Sequence, residues 1–199
     1  TESGYSDGNA KWVLGGKAMV WFSDRAGYRS HGSWGAQYDA YIMFFDVDAY
    51  DRFRMNKEDL ALLEEAEKAE KAEKEKAEKK KNKKDDKKKD DKEKNKKDGD
   101  EEKKEEVKPL KFDLDNRFDR IVRLTVNSSF MGDAVLTPKG DKLYYLAAFE
   151  SGYDLWEHDL KENSTKILLK GVGGGSLLPD KKGENIFMCT GGGMKKIEI

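Results

Sequence analysis

Arginine, histidine and aromatic side chains are concentrated in one loop-like stretch between Asp24 and Tyr38. The candidate side chains there are Arg25, Arg29, His31 and Trp34. A guanidinium group binds a carboxylate through two parallel hydrogen bonds, and an aromatic ring offers flat apolar area to a peptide. The stretch is therefore a candidate site for an oligopeptide or a carboxylate. The alternative, which we favour, is a loop held by packing of Trp34 and by arginine hydrogen bonds to carbonyl groups.

The residues that could act as nucleophiles or bases do not form a catalytic pattern. Ser30, His31 and Ser33 are close in sequence, whereas a triad needs a base that a third group orients across the fold. His158 falls in a predicted strand, where we expect a surface or edge position. Cys189, the single cysteine, falls in an apolar strand and is expected to be a small buried hydrophobic residue. We predict no catalytic residue in this chain.

The sequence also offers no motif for a metal ion or a cofactor. The glycine-rich run Gly171 to Ser176 lacks the Gly-Lys-Ser/Thr ending of a phosphate-binding loop. The acidic pairs at Asp46 and Asp48, and at Asp113 and Asp115, lack the other ligands of a calcium loop. We predict neither a metal site nor a cofactor.

The elements that would position these residues repeat along the chain. Leu136 to Leu160 has a turn centred on Pro138 and Gly140, an uncharged apolar strand, a second turn and a second strand. Similar units begin near Ala18 and near Gly183, and the step from Gly140 to Gly183 is 43 residues. One four-stranded propeller blade spans roughly 40 to 50 residues. The pattern predicts an all-β partial β-propeller of about two to three four-stranded antiparallel blades, and a generic antiparallel meander is the alternative.

These repeats divide the chain into five segments. Residues 1–55 are predicted to be the first part of the first blade, and residues 107–125 supply the strand that completes it. Residues 126–170 are the second blade and residues 171–199 an incomplete third blade. Residues 56–106 are a charged insertion. Such an insertion is either an expanded loop on the rim of the propeller, which we favour, or an arm that docks a partner.

The insertion is predicted to begin as a helix and to end without structure. Asn56 is a plausible N-cap, and Glu-to-Lys pairs four residues apart support a solvated helix to about Lys80. From Asn82 onward nothing apolar is present, so we expect disorder. Before the insertion, Ser6 to Asn9 is expected to be a loop, and Asp48 to Met55 a segment that leads out of the blade.

The charge balance of the chain excludes some classes of partner. Glu64 to Glu106 holds 18 lysines and 18 acidic residues, and the net charge of the whole chain is −1. No basic field for nucleic acid or anionic lipid results on average. No apolar run approaches the roughly 18 residues that cross a bilayer, so no membrane insertion is expected.

Several of these residues resemble the propeller region of tricorn proteases. They are Ser23-Asp24-Arg25 after an apolar strand, Phe112 to Asp115 followed by Asp119 to Thr125, and the Pro-x-Gly-x-Lys turns with their Asp-Leu-Trp strand. The bacterial tricorn-like peptidases, which also carry lysine-rich insertions, are similar over the whole chain. The hairpin pattern is shared with other propeller repeats such as those of the translocation protein TolB.

The resemblance implies a function that the residues alone do not. In that family, propellers admit and channel peptides toward a separate serine protease domain that carries a PDZ module. The chain would then be a non-catalytic piece of a longer peptidase. Its partners would be peptides or unfolded polypeptide, the remaining blades and the protease domain. A stand-alone, TolB-like interaction module is the alternative. Open sheet edges predict self-association or aggregation of the chain alone, and no compartment is assigned.

Overall fold

A computed structural model describes residues 3–29, 35–85, 109–180 and 183–199, with the side chains of 74–85 excepted. The chain divides into two compact units. One unit comprises Thr1–Arg54 and Leu110–Ile199, and the other comprises Met55–Pro109. The first unit holds all the described strands, and the second holds one long helix.

The first unit consists of three antiparallel sheets that follow one another in sequence. Sheet I has the strand order β1-β2-β3-β4, sheet II β5-β6-β7-β8 and sheet III β9-β10-β11. The predicted all-β, propeller-like fold is confirmed. The strands are β1 (Asp7–Val13), β2 (Ala18–Ser23), β3 (Asp39–Phe44), β4 (Ile121–Arg123), β5 (Phe130–Leu136), β6 (Lys142–Ala148), β7 (Asp154–Asp159), β8 (Ser164–Leu169), β9 (Gly175–Pro179), β10 (Asn185–Thr190) and β11 (Gly193–Glu198).

Two strands of sheet I are joined by the charged segment. β3 pairs with β4 from Tyr41 opposite Arg123 to Met43 opposite Ile121. The backbone N–H of Asp113 donates to Phe45 O at 2.6 Å. The Arg120 guanidinium also donates to the carbonyl oxygens of Phe44 and Asp113. These bonds hold the segment that follows the charged insertion beside the end of β3.

The core lies between the sheets and follows the two-residue alternation of strand side chains. One apolar cluster joins sheets I and II, and it includes Val20, Ile42, Leu143 and Tyr145. A second cluster joins sheets II and III. Its buried members are Val135, Tyr144, Leu146, Leu155, Leu177, Ile186 and Met188. The uncharged strand predicted from Leu143 onward is therefore buried on both faces, because sheet II lies between two others.

The first strands of the three sheets are tied together by one buried carboxylate. Asp133 on β5 is 3% exposed. It accepts hydrogen bonds from Asn9 Nδ2 at 3.0 Å and Lys11 Nζ at 2.5 Å, both on β1, and from the Leu177 N–H on β9 at 2.7 Å. It also accepts from the Ala134 N–H at 2.8 Å. A single side chain thus links all three sheets.

The turn predicted at Pro138 to Asp141 is confirmed. The N–H of Gly140 donates to Thr137 O at 2.9 Å, and Gly140 has a φ of +74°. A side chain would strain this backbone, which is why the turn takes glycine.

Two helices flank the boundary of the first unit. The eight-residue α1 (Val47–Arg54) lies where the sequence predicts only a segment that leads out of the blade. Asp46 caps it by accepting from the Ala49 N–H at 2.7 Å. The rings of Tyr50 and Phe53 pack on Phe44, with ring centroids 5.5 and 4.9 Å apart. The sequence features that could have indicated this helix are the acidic N-cap Asp46 and the aromatic residues Tyr50 and Phe53, three positions apart.

The second unit contains α2 (Lys57–Asp85), whose predicted cap is confirmed. The N–H of Asp59 donates to Asn56 Oδ1 at 2.7 Å. The helix extends five residues beyond the expected end near Lys80. Residues 82–85 are therefore helical, although disorder was predicted from Asn82 to Glu106, and the rest of that predicted segment lies outside the described residues. No described helix has the length and apolar character required to cross a membrane.

Candidate functional site

The candidate site is built on the end of β2 and the segment that follows it. Of the four predicted side chains, Arg25 and Arg29 are described, whereas His31 and Trp34 lie outside the described residues. The structure places Arg25 and Arg29 beside the same ring, that of Tyr5. Their guanidinium carbons lie 5.7 and 4.5 Å from its centroid.

Arg25 rests on a platform of three aromatic rings. Besides Tyr5, its guanidinium carbon lies 5.5 Å from the Trp21 ring centroid and 4.9 Å from that of Tyr41. Its Nε donates to Ser23 Oγ at 3.0 Å, and one terminal nitrogen lies 3.4 Å from Asp7 Oδ1. Cation–π contacts of this kind hold a guanidinium in one orientation while leaving its edge available.

Arg29 is the more exposed member of the pair. Its Nε lies 3.5 Å from Asp24 Oδ2, and 45% of its side chain is exposed. Asp24 itself is buried and accepts from the Ser6 N–H at 2.9 Å. The backbone hydrogen bond therefore fixes the Asp24 carboxylate, and the fixed carboxylate orients the Arg29 guanidinium.

Two carboxylates that the sequence pattern did not indicate balance these arginines. Asp7 and Asp24 each lie beside one arginine, and Asp7 Oδ1 also accepts from Trp21 Nε1 at 3.2 Å. The sequence predicts a loop at Ser6 to Asn9, and this is wrong, because Asp7 begins β1 and pairs with Ser23. A shift in the strand register between Gly8 and Lys11 interrupts the alternation, and this is why the polar residues did not indicate a strand.

A third carboxylate, Asp39, lies on the neighbouring strand β3, and the sequence did not indicate its role either. Asp39 is fully buried, and it accepts from Arg123 at 2.8 Å and from the hydroxyls of Thr125 and Ser128 at 2.7 Å each. Burial, followed by the charge of Asp39, raises the pKa of Tyr41. Tyr41 therefore presents a neutral ring to Arg25 at physiological pH.

An apolar groove lies next to the arginines on the same face of sheet I. Its volume is about 340 Å³. It is lined by Asp7, Gly8, Ala10, Met19, Trp21, Met43, Phe45, Arg117 and Phe118. Asp7 and Trp21 belong both to the groove and to the support of Arg25. The site thus combines oriented guanidinium groups with apolar area, which suits a ligand that has a carboxylate and an apolar side chain.

His158 does not occupy the surface or edge position that the sequence suggested. It lies on β7, an inner strand of sheet II, and is 4% exposed. Its Nδ1 is 2.7 Å from Thr165 Oγ1. Burial lowers the pKa of His158. The strand assignment is confirmed, but the position is not at an edge, because β8 pairs with β7 and places Thr165 opposite His158.

The remaining candidates for chemistry do not form a site. Cys189 is a free thiol of intermediate exposure rather than a buried one. Among the described residues, no group of three or more His, Cys, Asp or Glu side chains is arranged to hold a metal ion.

Comparison with known proteins yields a likeness of fold. No family model and no curated protein matches the chain. The chain is similar to a solved structure, the crystal structure of the tricorn protease, with a TM-score of 0.55 and 7% sequence identity. The match covers 100% of this chain and 16% of that one, so the chain spans about a sixth of the length of this neighbour. In fold, the chain is thus similar to part of the tricorn protease.

Proposed function

We propose that this chain is a non-catalytic β-propeller segment of a tricorn-like serine peptidase. In this proposal it admits and positions peptide substrates for a protease domain outside the chain. Arg25 and Arg29 bind the carboxylate of the peptide, and the adjacent groove accepts an apolar side chain. The proposal also includes His31 and Trp34, on the ground of their nearness in sequence to the two arginines.

The observation that carries the proposal is the pair of arginines that share the Tyr5 ring beside an apolar groove. Fold likeness alone does not assign function, because propellers serve many purposes. An arginine on aromatic rings loses little freedom when it binds a carboxylate. A peptide terminus supplies that carboxylate, and its side chains supply the apolar group.

The carboxylates of the protein set the strength of this interaction. Arg25 and Arg29 already face Asp7 and Asp24, at 3.4 and 3.5 Å. These distances exceed those of a tight charge-assisted bond. A peptide carboxylate competes for the remaining guanidinium donors, so we expect weak, salt-sensitive binding. Weak binding suits a site that must release each peptide substrate toward the protease domain.

A direct test compares two forms of one labelled peptide by fluorescence anisotropy. The first form has a free C-terminal carboxylate, and the second is amidated. We expect amidation to weaken binding about tenfold, equivalent to about 1.4 kcal/mol. Arg25→Ala and Arg29→Ala should each reduce affinity for the free acid and leave affinity for the amide nearly unchanged. Mass spectrometry of the same mixture should show intact peptide.

Arg54→Ala is the matched control, because Arg54 is an exposed arginine that also lies over a tyrosine ring, Tyr50, at 5.5 Å. This variant should bind both peptides like the wild type. Equal affinity of the wild type for acid and amide would refute the carboxylate site. Cleavage of the peptide would instead refute the non-catalytic role. The amide comparison uses unmodified protein and does not depend on the folding of a variant.

A further inference from the structure

Arg117 is a cation of the peptide groove that the proposed carboxylate site does not use. It lines the groove together with Phe118, and both belong to the short 3₁₀ helix Arg117–Arg120 that precedes β4. Its guanidinium carbon lies 4.4 Å from the Phe118 ring centroid, and one terminal nitrogen donates to Leu114 O at 3.4 Å. Among the residues that the structure describes, no carboxylate lies within ion-pair distance of Arg117.

The segment that follows the charged insertion holds Arg117 at one end of the groove. On one side of it in sequence, the Asp113 N–H donates to Phe45 O at 2.6 Å. On the other side, Arg120 is 8% exposed and donates to the carbonyl oxygens of Phe44 and Asp113. These bonds fix the segment beside the end of β3. Arg117 therefore lies near Phe45, which also lines the groove.

Arg25 lies over a different part of the same face. Its guanidinium carbon is 4.9 Å from the Tyr41 ring centroid. Met43 and then Phe45 follow Tyr41 in steps of two residues, and both line the groove. Because a strand advances about 3.3 Å per residue, Arg25 and Arg117 are about 7 to 13 Å apart along β3. An extended peptide covers that distance with about two to four residues.

The groove between the two cations has a fixed floor and an accessible wall. Trp21 and Met43 in the floor are 4% and 7% exposed, so the protein itself holds them in place. Phe118 is 46% exposed and Arg117 is partly exposed, so the wall remains open to a ligand. A peptide that lies along the floor can therefore contact the Phe118 ring with an apolar side chain and the Arg117 guanidinium with a polar one.

The two ends of the groove differ in their counter-charges. Arg25 lies 3.4 Å from Asp7, whereas no described carboxylate balances Arg117. A carboxylate of the ligand at Arg117 therefore meets no competing carboxylate of the protein. Two charge contacts made by one ligand also reinforce each other, because the second contact is intramolecular once the first has formed.

We infer that the groove selects peptides with an Asp or Glu side chain about two to four residues before the C-terminal residue. This inference rests on the proposed function, in which Arg25 and Arg29 bind the C-terminal carboxylate. Arg117 binds the acidic side chain, and Phe118 contacts the apolar residue between the two charges. Arg117 is thus a residue that determines specificity.

The test moves one glutamate along the labelled peptide used for the anisotropy measurement. The glutamate stands at successive positions before the C-terminal residue, and each peptide is compared with its glutamine counterpart. We expect glutamate to strengthen binding about threefold to fivefold over glutamine when it lies about two to four residues before the C-terminal residue. Elsewhere in the peptide the two should bind alike.

Two substitutions of Arg117 test which side chain recognises the acid. Arg117→Gln should remove the preference for glutamate and keep the preference for the free C-terminal acid over the amide. Arg117→Glu should reverse the charge preference, so that lysine at that peptide position binds more tightly than glutamate. The control Arg54→Ala should keep both preferences, because Arg54 lies over Tyr50 on α1 and outside the groove. A misfolded variant would lose both preferences together.

The outcomes separate this inference from the proposed function. Equal affinity for glutamate and glutamine peptides at every position, with the acid still preferred over the amide, would overturn the inference alone. A glutamate preference that persists in Arg117→Gln would also overturn it, because another cation would then bind the acid. Equal affinity for acid and amide would refute the proposed function, and the inference with it, because the spacing is measured from the C-terminal carboxylate.

Discussion

His158 illustrates at the residue scale how burial sets a proton affinity. The ring is 4% exposed and hydrogen-bonded to Thr165, and burial lowers its pKa from the ordinary value of 6.5. Below pH 6.5 the unfolded chain takes up a proton at this residue, whereas the folded chain does not until the pH is lower. The histidine therefore costs no stability above pH 6.5 and reduces it progressively as the pH falls through this window.

The corresponding prediction concerns His158→Gln, which removes the titrating group. We expect the wild type to lose more of its unfolding free energy between pH 7.5 and pH 5.5 than the variant does. Urea unfolding at the two pH values measures both losses. Identical pH dependence of the two proteins would show that the pKa of His158 is the same in the folded and unfolded chains.

The sequence predicts individual residues well where their role is local. The cap at Asn56 and the positive φ of Gly140 both follow from bonds within a few positions. The supports of Arg25 do not, because Asp7 and Tyr41 reach it from other strands. Residue types indicated the arginines, whereas only strand pairing identifies their neighbours. Whether those arginines bind a peptide stays a prediction.

At the scale of elements, Asp133 joins β1, β5 and β9 through hydrogen bonds. Two of its donors are backbone N–H groups, those of Ala134 and Leu177, and the Leu177 bond is buried. Removal of the carboxylate leaves these donors without an acceptor and Lys11 without its counter-charge. Each orphaned buried donor costs about 1–3 kcal/mol.

We therefore predict that Asp133→Ala lowers the free energy of unfolding by about 3 kcal/mol. Lys11→Met, which removes only the partly exposed cation, should cost about 1 kcal/mol and serves as the comparison. Urea unfolding followed by tryptophan fluorescence measures both. Equal losses in the two variants would mean that the ion pair, and not the backbone bonds, carries the stabilisation.

Strand patterns in the sequence identify which segments are strands better than they identify the segments that those strands pair with or pack on. The unit predicted to begin near Ala18 starts with the strand Ala18–Ser23, and the apolar run that includes Leu143 is the strand Lys142–Ala148. α1 was not predicted because eight residues are too few to show a clear helical period of apolar side chains. Its packing on Phe44 stabilises it in the folded chain. Short elements depend on tertiary contacts that no local pattern contains.

At the scale of the whole molecule, the charged tract separates two paired strands. β3 ends at Phe44 and β4 begins at Ile121, and the bond from the Asp113 N–H to Phe45 O lies at the base of the excursion. We expect the tract to act on the sheets as a long loop, whose closure cost rises with the logarithm of its length.

Replacement of residues 57–108 by a Gly-Ser linker of about ten residues should therefore stabilise the sheets by about 1 kcal/mol, because the loop that the Asp113–Phe45 bond closes becomes less than half as long. Tryptophan fluorescence is a suitable reporter, because all four tryptophans lie outside the replaced segment. A chain with the same segment in scrambled order should match the wild type. Lower stability of the shortened chain would show that the tract stabilises the sheets directly.

The separation of β3 from β4 also determines the order of events during translation. Ribosomes add about 5–20 residues per second, so the stretch from Phe44 to Ile121 takes roughly 4 to 15 s to make. Throughout that interval the nascent β3 has an open side while its eventual partner does not yet exist. α1 is made first and packs on Phe44, and the lysine-and-acid segment that follows has almost no apolar residues that could pack against the open side of β3. We therefore expect the polar tract to delay the completion of sheet I during synthesis without offering β3 an apolar competitor for β4.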